Sequence, residues 1–256
     1  MSKPRKSSRN TNVKQEGIPA EYRYIAFLEL LADAIVQYRE SNRTDDSFVM
    51  NRFARASILA SALSVECVAN CLLISLDTSS RLSDELDRMS PLSKIEVYLK
   101  LKSRPALDRG NLKVSKIADL ISARNDFVHP KVKGIRATMS LPQDAGKEWT
   151  FPFSLDGVHH SQLSIPKVPL FWSAKNALEA LMAISNFYQY LFCTLINVNH
   201  KEMHDLLISR VQAANVYIPA VYDEVRVLLH NAKEKDGIDF SYFGVPPMET
   251  GSNDLS

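Results

Sequence analysis

Apolar positions recur at helical spacing along most of the chain. Tyr24, Phe27, Leu28, Leu31, Ile35 and Tyr38 fall three or four apart and predict an amphipathic helix over residues 20–40. The polar residues 43–46 break it, and Thr44 or Asp45 is a candidate cap for the next helix. Residues 47–76 predict one long helix whose middle reads ASILASALSVECVANCLL. A helix apolar around most of its girth belongs at the centre of a bundle. Glu66 and Asn70 interrupt this run, four positions apart and so on one face. A carboxylate withdrawn from water needs a cation or a donor beside it. Glu66 therefore predicts a partner on another element.

Ser90-Pro91 inside residues 82–102 is a helix start, with proline in the first turn and Leu92, Ile95, Val97, Tyr98 and Leu101 behind it. Residues 111–128 form the next predicted helix, closed by Pro130, because the residue before a proline avoids helical angles. Residues 131–158 change period. Ile135, Ala137, Met139 and Leu141 alternate with polar residues, as do Trp149, Phe151 and Phe153, with Gly146 between the two runs. This predicts a β-hairpin inserted between helices. Residues 169–197 predict another long apolar helix, and residues 201–214 and 219–232 two shorter ones.

Composition agrees with a mainly α fold. Only 8 of 256 residues are glycine, few for a large β-sandwich or a dinucleotide-binding fold. No run reaches the roughly 18 uninterrupted apolar residues of a membrane span, and the basic amino terminus has no apolar stretch behind it to make a secretory signal. Cys67, Cys71 and Cys193 read as free thiols of a reducing compartment, which places the chain in the cytoplasm. A net charge of +2 is too small to argue for nucleic acid by itself. Residues 1–17 hold Lys3, Arg5, Lys6, Arg9 and Lys14 and read as a disordered basic tail, residues 18–240 as one helical domain, and residues 241–256 as a flexible tail.

The richest chemistry lies at 123–130, Ala-Arg-Asn-Asp-Phe-Val-His-Pro. On a regular helix Asn125 and His129 share a face, so Asn125 is placed to orient the imidazole. Arg124 lies about 140° from His129 on ideal geometry, but its length and the helix end let both reach one anion. An imidazole that moves protons near neutral pH, beside a fixed guanidinium, suits phosphodiester chemistry. The plainer readings are that His129 caps the helix, Arg124 pairs with Glu66 structurally, and Asp126 is a solvated polar position. His200 and His204 have zinc-like spacing without the H-E-x-x-H pattern or a third ligand, so no metal site and no cofactor are expected. Walker, G-x-G-x-x-G, G-x-S-x-G and CxxC motifs are absent from the sequence.

Arg124-Asn125-Asp126-Phe127-Val128-His129 resembles the R-x(4–6)-H signature of HEPN domains. The alanine-rich helix with Glu66 and Asn70 is similar to the long second helix of one HEPN branch. The likeness covers about residues 22–130 and a returning helix within 169–197; the hairpin is not part of the minimal pattern. It implies a HEPN-like helical bundle that dimerises so that two motifs share a cleft. In many members this means metal-independent endoribonuclease activity, as toxins or phage-defence effectors with an antitoxin or defence-complex partner. Other members are non-catalytic RNA- or protein-binding modules. On this resemblance Arg124, His129 and Asn125 are the expected catalytic group, with Glu66, Asn70 and Asp126 supporting it and RNA as the substrate.

Overall fold

A computed structural model describes residues 18–132, 134, 136–139, 153–155, 159–213 and 216–245. The expected basic tail, residues 1–17, lies outside them, as do Trp149 and Phe151 of the expected hairpin.

The architecture is mainly α, built around one central helix. Helix α1 (Phe27–Arg43) leads to α2 (Ser47–Ile74). The α2 cap is Asp46, one position beyond the expected candidates; its Oδ1 accepts from the Phe48 and Val49 N–H groups. Helices α3 (Ser80–Asp87), α4 (Pro91–Leu101) and α5 (Leu112–Val128) come next in the chain. Ser90 caps α4 ahead of Pro91, and Asn111 caps α5, each through a side-chain oxygen. After the hairpin, a 3-10 turn (Pro169–Phe171) leads into α6 (Ala174–Gln189). That helix passes into a π-helical segment (Tyr190–Ile196) stopped by Asn197 in the left-handed region.

Helix α2 packs against α1, α4, α5 and α6. Its length and composition would suit a membrane crossing, but 61% of its most apolar window is buried inside the protein. The apolar girth is therefore accounted for by the bundle core, as its pattern predicts. Ala54, Ile58, Val65, Val68 and Leu72 are fully buried there, against Phe27, Leu31 and Ile35 of α1.

The expected hairpin forms: β2 (Ala137–Met139) pairs antiparallel with β3 (Phe153–Leu155). A second, three-stranded antiparallel sheet departs from the expected helices. Residues 20–23 are strand β1 (Ala20–Arg23), not the first turn of a helix. Residues 201–214 split into helix α7 (His200–Leu207) and strand β4 (Arg210–Ala213), followed by β5 (Val216–Pro219) and α8 (Asp223–Asp236). The sheet order is β1-β4-β5. Local apolar spacing near Tyr24 suits a helix, but tertiary pairing overrides it. Ala20 faces Ala213 across the ladder, and the Ile25 N–H donates to the buried Ser209 hydroxyl at 2.8 Å.

The carboxyl-terminal boundary also shifts. Residues 241–245 are not loose. Ser241–Phe243 forms a 3-10 turn, and Phe243 is buried edge-on against Phe27 and beside Tyr188 and Phe192. Gly244 comes next with φ +60°, and a Cβ there would stand 2.6 Å from the His200 ring. Residues 246–256 lie outside the described set.

Candidate active site at the end of helix α5

Helix α5 lies along α2 with Val114, Ile117, Leu120 and Ala123 fully buried. That apolar stripe fixes the helix and sets where its polar carboxyl end emerges. Asp119 fastens a later segment onto it by accepting from the Gln162 and Leu163 N–H groups at 2.6 and 3.1 Å.

Arg124 reaches across to α2. Its Nη2 donates to Glu66 Oε2 at 2.7 Å, and its Nη1 donates to Asn125 Oδ1 at 3.0 Å. Glu66 thus has the cationic partner that its place in an apolar run predicts. The side chains keep 26% and 37% of their exposure, so the pair sits at the rim of the core rather than within it. An ion pair of that exposure contributes about 0–1 kcal/mol to stability. Its larger effect is geometric. A guanidinium has five N–H donors; two point at fixed oxygens, and the rest have no acceptor among the described residues.

Helix α5 ends at Val128. His129 donates its backbone N–H to the Asn125 carbonyl at 2.9 Å and leaves the helix with φ −117° and ψ 66°. Pro130 has no N–H to continue the ladder. The His129 side chain is exposed, and its imidazole makes no hydrogen bond among the described residues. The departure from helical angles explains why Asn125 does not hold the ring as regular helical geometry suggests. Its side chain holds Arg124, and only its backbone holds His129. Asp126 is half-buried on the same turn.

Asn70 does not join this group. Its Oδ1 accepts from Lys94 Nζ of α4 at 2.7 Å, and the same ammonium donates to Asp87 Oδ1 at 2.7 Å. The Lys94 side chain is only 3% exposed. Lys94 does not stand out in the sequence as a partner of Asn70. A lysine between Leu92 and Ile95, on the buried side of α4, is the available signal, and its value depends on knowing that Asn70 faces it. Three helices are therefore tied together by polar contacts that all start from one face of α2.

Cys67, next to Glu66, and Cys71 are free thiols in contact with one another. The bond to Cys67, together with burial, pushes the Cys71 thiol well above its ordinary value, whereas Cys67, bonded by Cys71, is drawn below it. Among the described residues no three His, Cys, Asp or Glu side chains converge as a metal site. His204 is engaged elsewhere: its Nε2 lies 3.0 Å from the carbonyl oxygens of both Phe243 and Gly244.

The chain matches no family model, and no curated protein or solved structure is similar to it.

Proposed function

We propose that this protein is a HEPN-type endoribonuclease of the cytoplasm that cleaves RNA without a divalent metal. The observation that carries the reading is the end of α5. There a guanidinium clamped by Glu66 and Asn125 stands within two turns of an exposed imidazole that makes no hydrogen bond among the described residues. The 2′-hydroxyl of the substrate attacks the adjacent phosphorus. The new P–O2′ bond forms as the P–O5′ bond breaks, leaving a 2′,3′-cyclic phosphate and a 5′-hydroxyl end. His129 moves the proton, taking it from the 2′-hydroxyl or returning it to the 5′-oxygen. Arg124 stabilises the charge that builds on the phosphorane oxygens. Glu66 and Asn125 act as positioning residues that hold the guanidinium in place.

In this reading two copies pair so that two motifs line one cleft. A toxin or defence effector of this kind would be held in check by an antitoxin or a defence-complex partner. The test is an RNA oligonucleotide with a single 2′-deoxy substitution at the mapped cut site. Cleavage there stops and a cyclic phosphate appears only on the unsubstituted strand; cleavage that persists at the deoxy position contradicts the mechanism.

A second reading is a non-catalytic module that binds RNA or protein. The Arg124–Glu66 pair itself favours it, because a guanidinium already facing a carboxylate offers less net charge to a phosphate. RNA binding without cleavage, unchanged in Arg124→Ala, would select this alternative.

A further inference from the structure

Near the amino-terminal end of α2 lies a cavity of about 480 Å³. It is lined by Phe48, Asn51, Arg52, Arg55, Phe171 and Trp172, among others. Two of these are guanidiniums, and neither makes an ion pair or a hydrogen bond among the described residues. The Arg55 Nε is shut off from solvent yet has no acceptor among the described residues. A buried donor without a partner is uncommon, and a charged one more so. Burial, and next the Arg52 charge, depress the proton affinity of Arg55 below its ordinary value. The two cations stand close together at a rim where desolvation already penalises charge.

The surroundings hold this pair in place. Arg52 stacks over the Phe48 ring at 4.4 Å, and Arg55 lies 5.7 Å from the centroid of Phe127. Phe127 stacks in turn on Trp172, with centroids 6.0 Å apart. The far wall is pinned by Asn51, whose Nδ2 lies within 3.0 Å of the carbonyl oxygens of Pro169, Leu170 and Trp172. Arg55 and Phe127 thus join the cavity to the motif helix. Along α2, Arg55 and Glu66 are eleven residues apart, which places them about 16 Å apart and within about 20° of one face. One flank of α2 therefore carries the Glu66 clamp for Arg124 and, three turns earlier, the unpaired guanidiniums.

We propose that Arg52 and Arg55 form a phosphate subsite that holds single-stranded RNA on one side of the scissile bond. A phosphate supplies the acceptors that the Arg55 Nε lacks and the negative charge that offsets two adjacent cations. The exposed Phe48 ring beside the pair offers a face on which a flanking base stacks. The site deepens the ribonuclease reading and rests on it for the identity of the ligand. A phosphate on a free nucleotide has the same chemistry, so the test separates the two sources.

The probe is a 2′-O-methyl oligonucleotide, which the proposed mechanism cannot cut, titrated against the full chain at several salt concentrations. Arg52→Gln and the double variant Arg52→Gln/Arg55→Gln are expected to bind at least tenfold more weakly. The double variant is expected to lose about 0.7 from the log–log salt slope, the share of one single-strand phosphate. Arg55→Lys, which keeps the charge but not the fork, is expected to fall between. Arg52 is exposed, so its single variant reports even if a change at Arg55 perturbs folding. Wild-type protein that fails to bind the oligonucleotide overturns the proposal, as do variants with unchanged affinity and slope. Displacement of the oligonucleotide by adenosine monophosphate at equal phosphate concentration assigns the site to free nucleotides and also overturns it. Cleavage of unmodified RNA is scored separately. Binding that depends on Arg52 and Arg55 without cleavage sinks the ribonuclease reading and leaves the subsite standing.

Discussion

Arg124 and Glu66, 58 positions apart in the chain, meet at 2.7 Å across helices α5 and α2. The pair is too exposed to be a major source of stability and well placed to aim a guanidinium. Glu66→Gln is therefore expected to change unfolding free energy by less than about 1 kcal/mol, while lowering RNA cleavage about tenfold or more. Arg124→Ala is expected to cost about 10²–10³ in rate, as loss of a charge-stabilising donor does. Adding Glu66→Gln to Arg124→Ala should then cost nothing further, because the carboxylate acts through the arginine. Additive losses in a double-mutant cycle would show that Glu66 acts on its own.

Lys94 binds α4 to α2. Removing its ammonium strands the Asn70 side chain at a helix–helix contact and deletes a long, well-packed stem. Lys94→Ala is expected to destabilise the protein by about 2–3 kcal/mol. Asn70→Ala should cost less, since Asp87 still accepts from Lys94. Urea denaturation of both variants checks the order, and a larger loss for Asn70→Ala would reverse the assignment.

Asn51 is a buried amide that faces three carbonyls of the turn before α6. Asn51→Ala takes the amide donor from those oxygens, of which Pro169 O keeps only the Trp172 N–H, and is expected to cost about 1–3 kcal/mol. It is also expected to weaken RNA binding, because the turn forms one wall of the Arg52–Arg55 cavity. Thermal unfolding and the oligonucleotide titration read the two effects separately.

Asp239 anchors the carboxyl-terminal segment. Bonding to the Lys233 ammonium first, and then to the Ser241 hydroxyl, holds its carboxyl down at about 2, against an ordinary value near 3.9. A depressed folded-state value means that the ionised form stabilises the fold. That contribution is complete above about pH 4 and is lost as pH falls toward 2. Asp239→Asn should lower the melting temperature at pH 6, and the gap to wild type should close between pH 4 and pH 2. A gap that persists at pH 2 would mean that the carboxylate's charge is not what matters.

The parts of this structure legible in the sequence are those whose signal is local. The apolar girth of α2 locates the bundle centre, and Pro130 locates the end of α5. Glu66, a carboxylate in an apolar run, signals a missing cation. The features that stay hidden depend on distant segments. Strand β1 pairs with β4 nearly 190 positions later, and nothing in residues 20–23 distinguishes such a strand from a helix start. Lys94 looks like an ordinary helix lysine until Asn70 faces it. Arg52 and Arg55 look like solvated charges at the start of a long helix, and only the fold shows that Phe127 and Trp172 close in on Arg55. Regular helical geometry assigns the Asn125 side chain to His129, and that geometry fails where His129 leaves the helix.

The most direct test of the ribonuclease reading is RNA cleavage by purified protein in excess chelator, with His129→Ala as the comparison. His129 is exposed at a helix end, so the variant should fold and melt like wild type. Wild type is expected to cut RNA with chelator present, and His129→Ala to be slower by about 10²–10⁴, the usual contribution of a general acid or base. Wild type that is inactive in chelator, or that cuts no faster than His129→Ala, would contradict that reading.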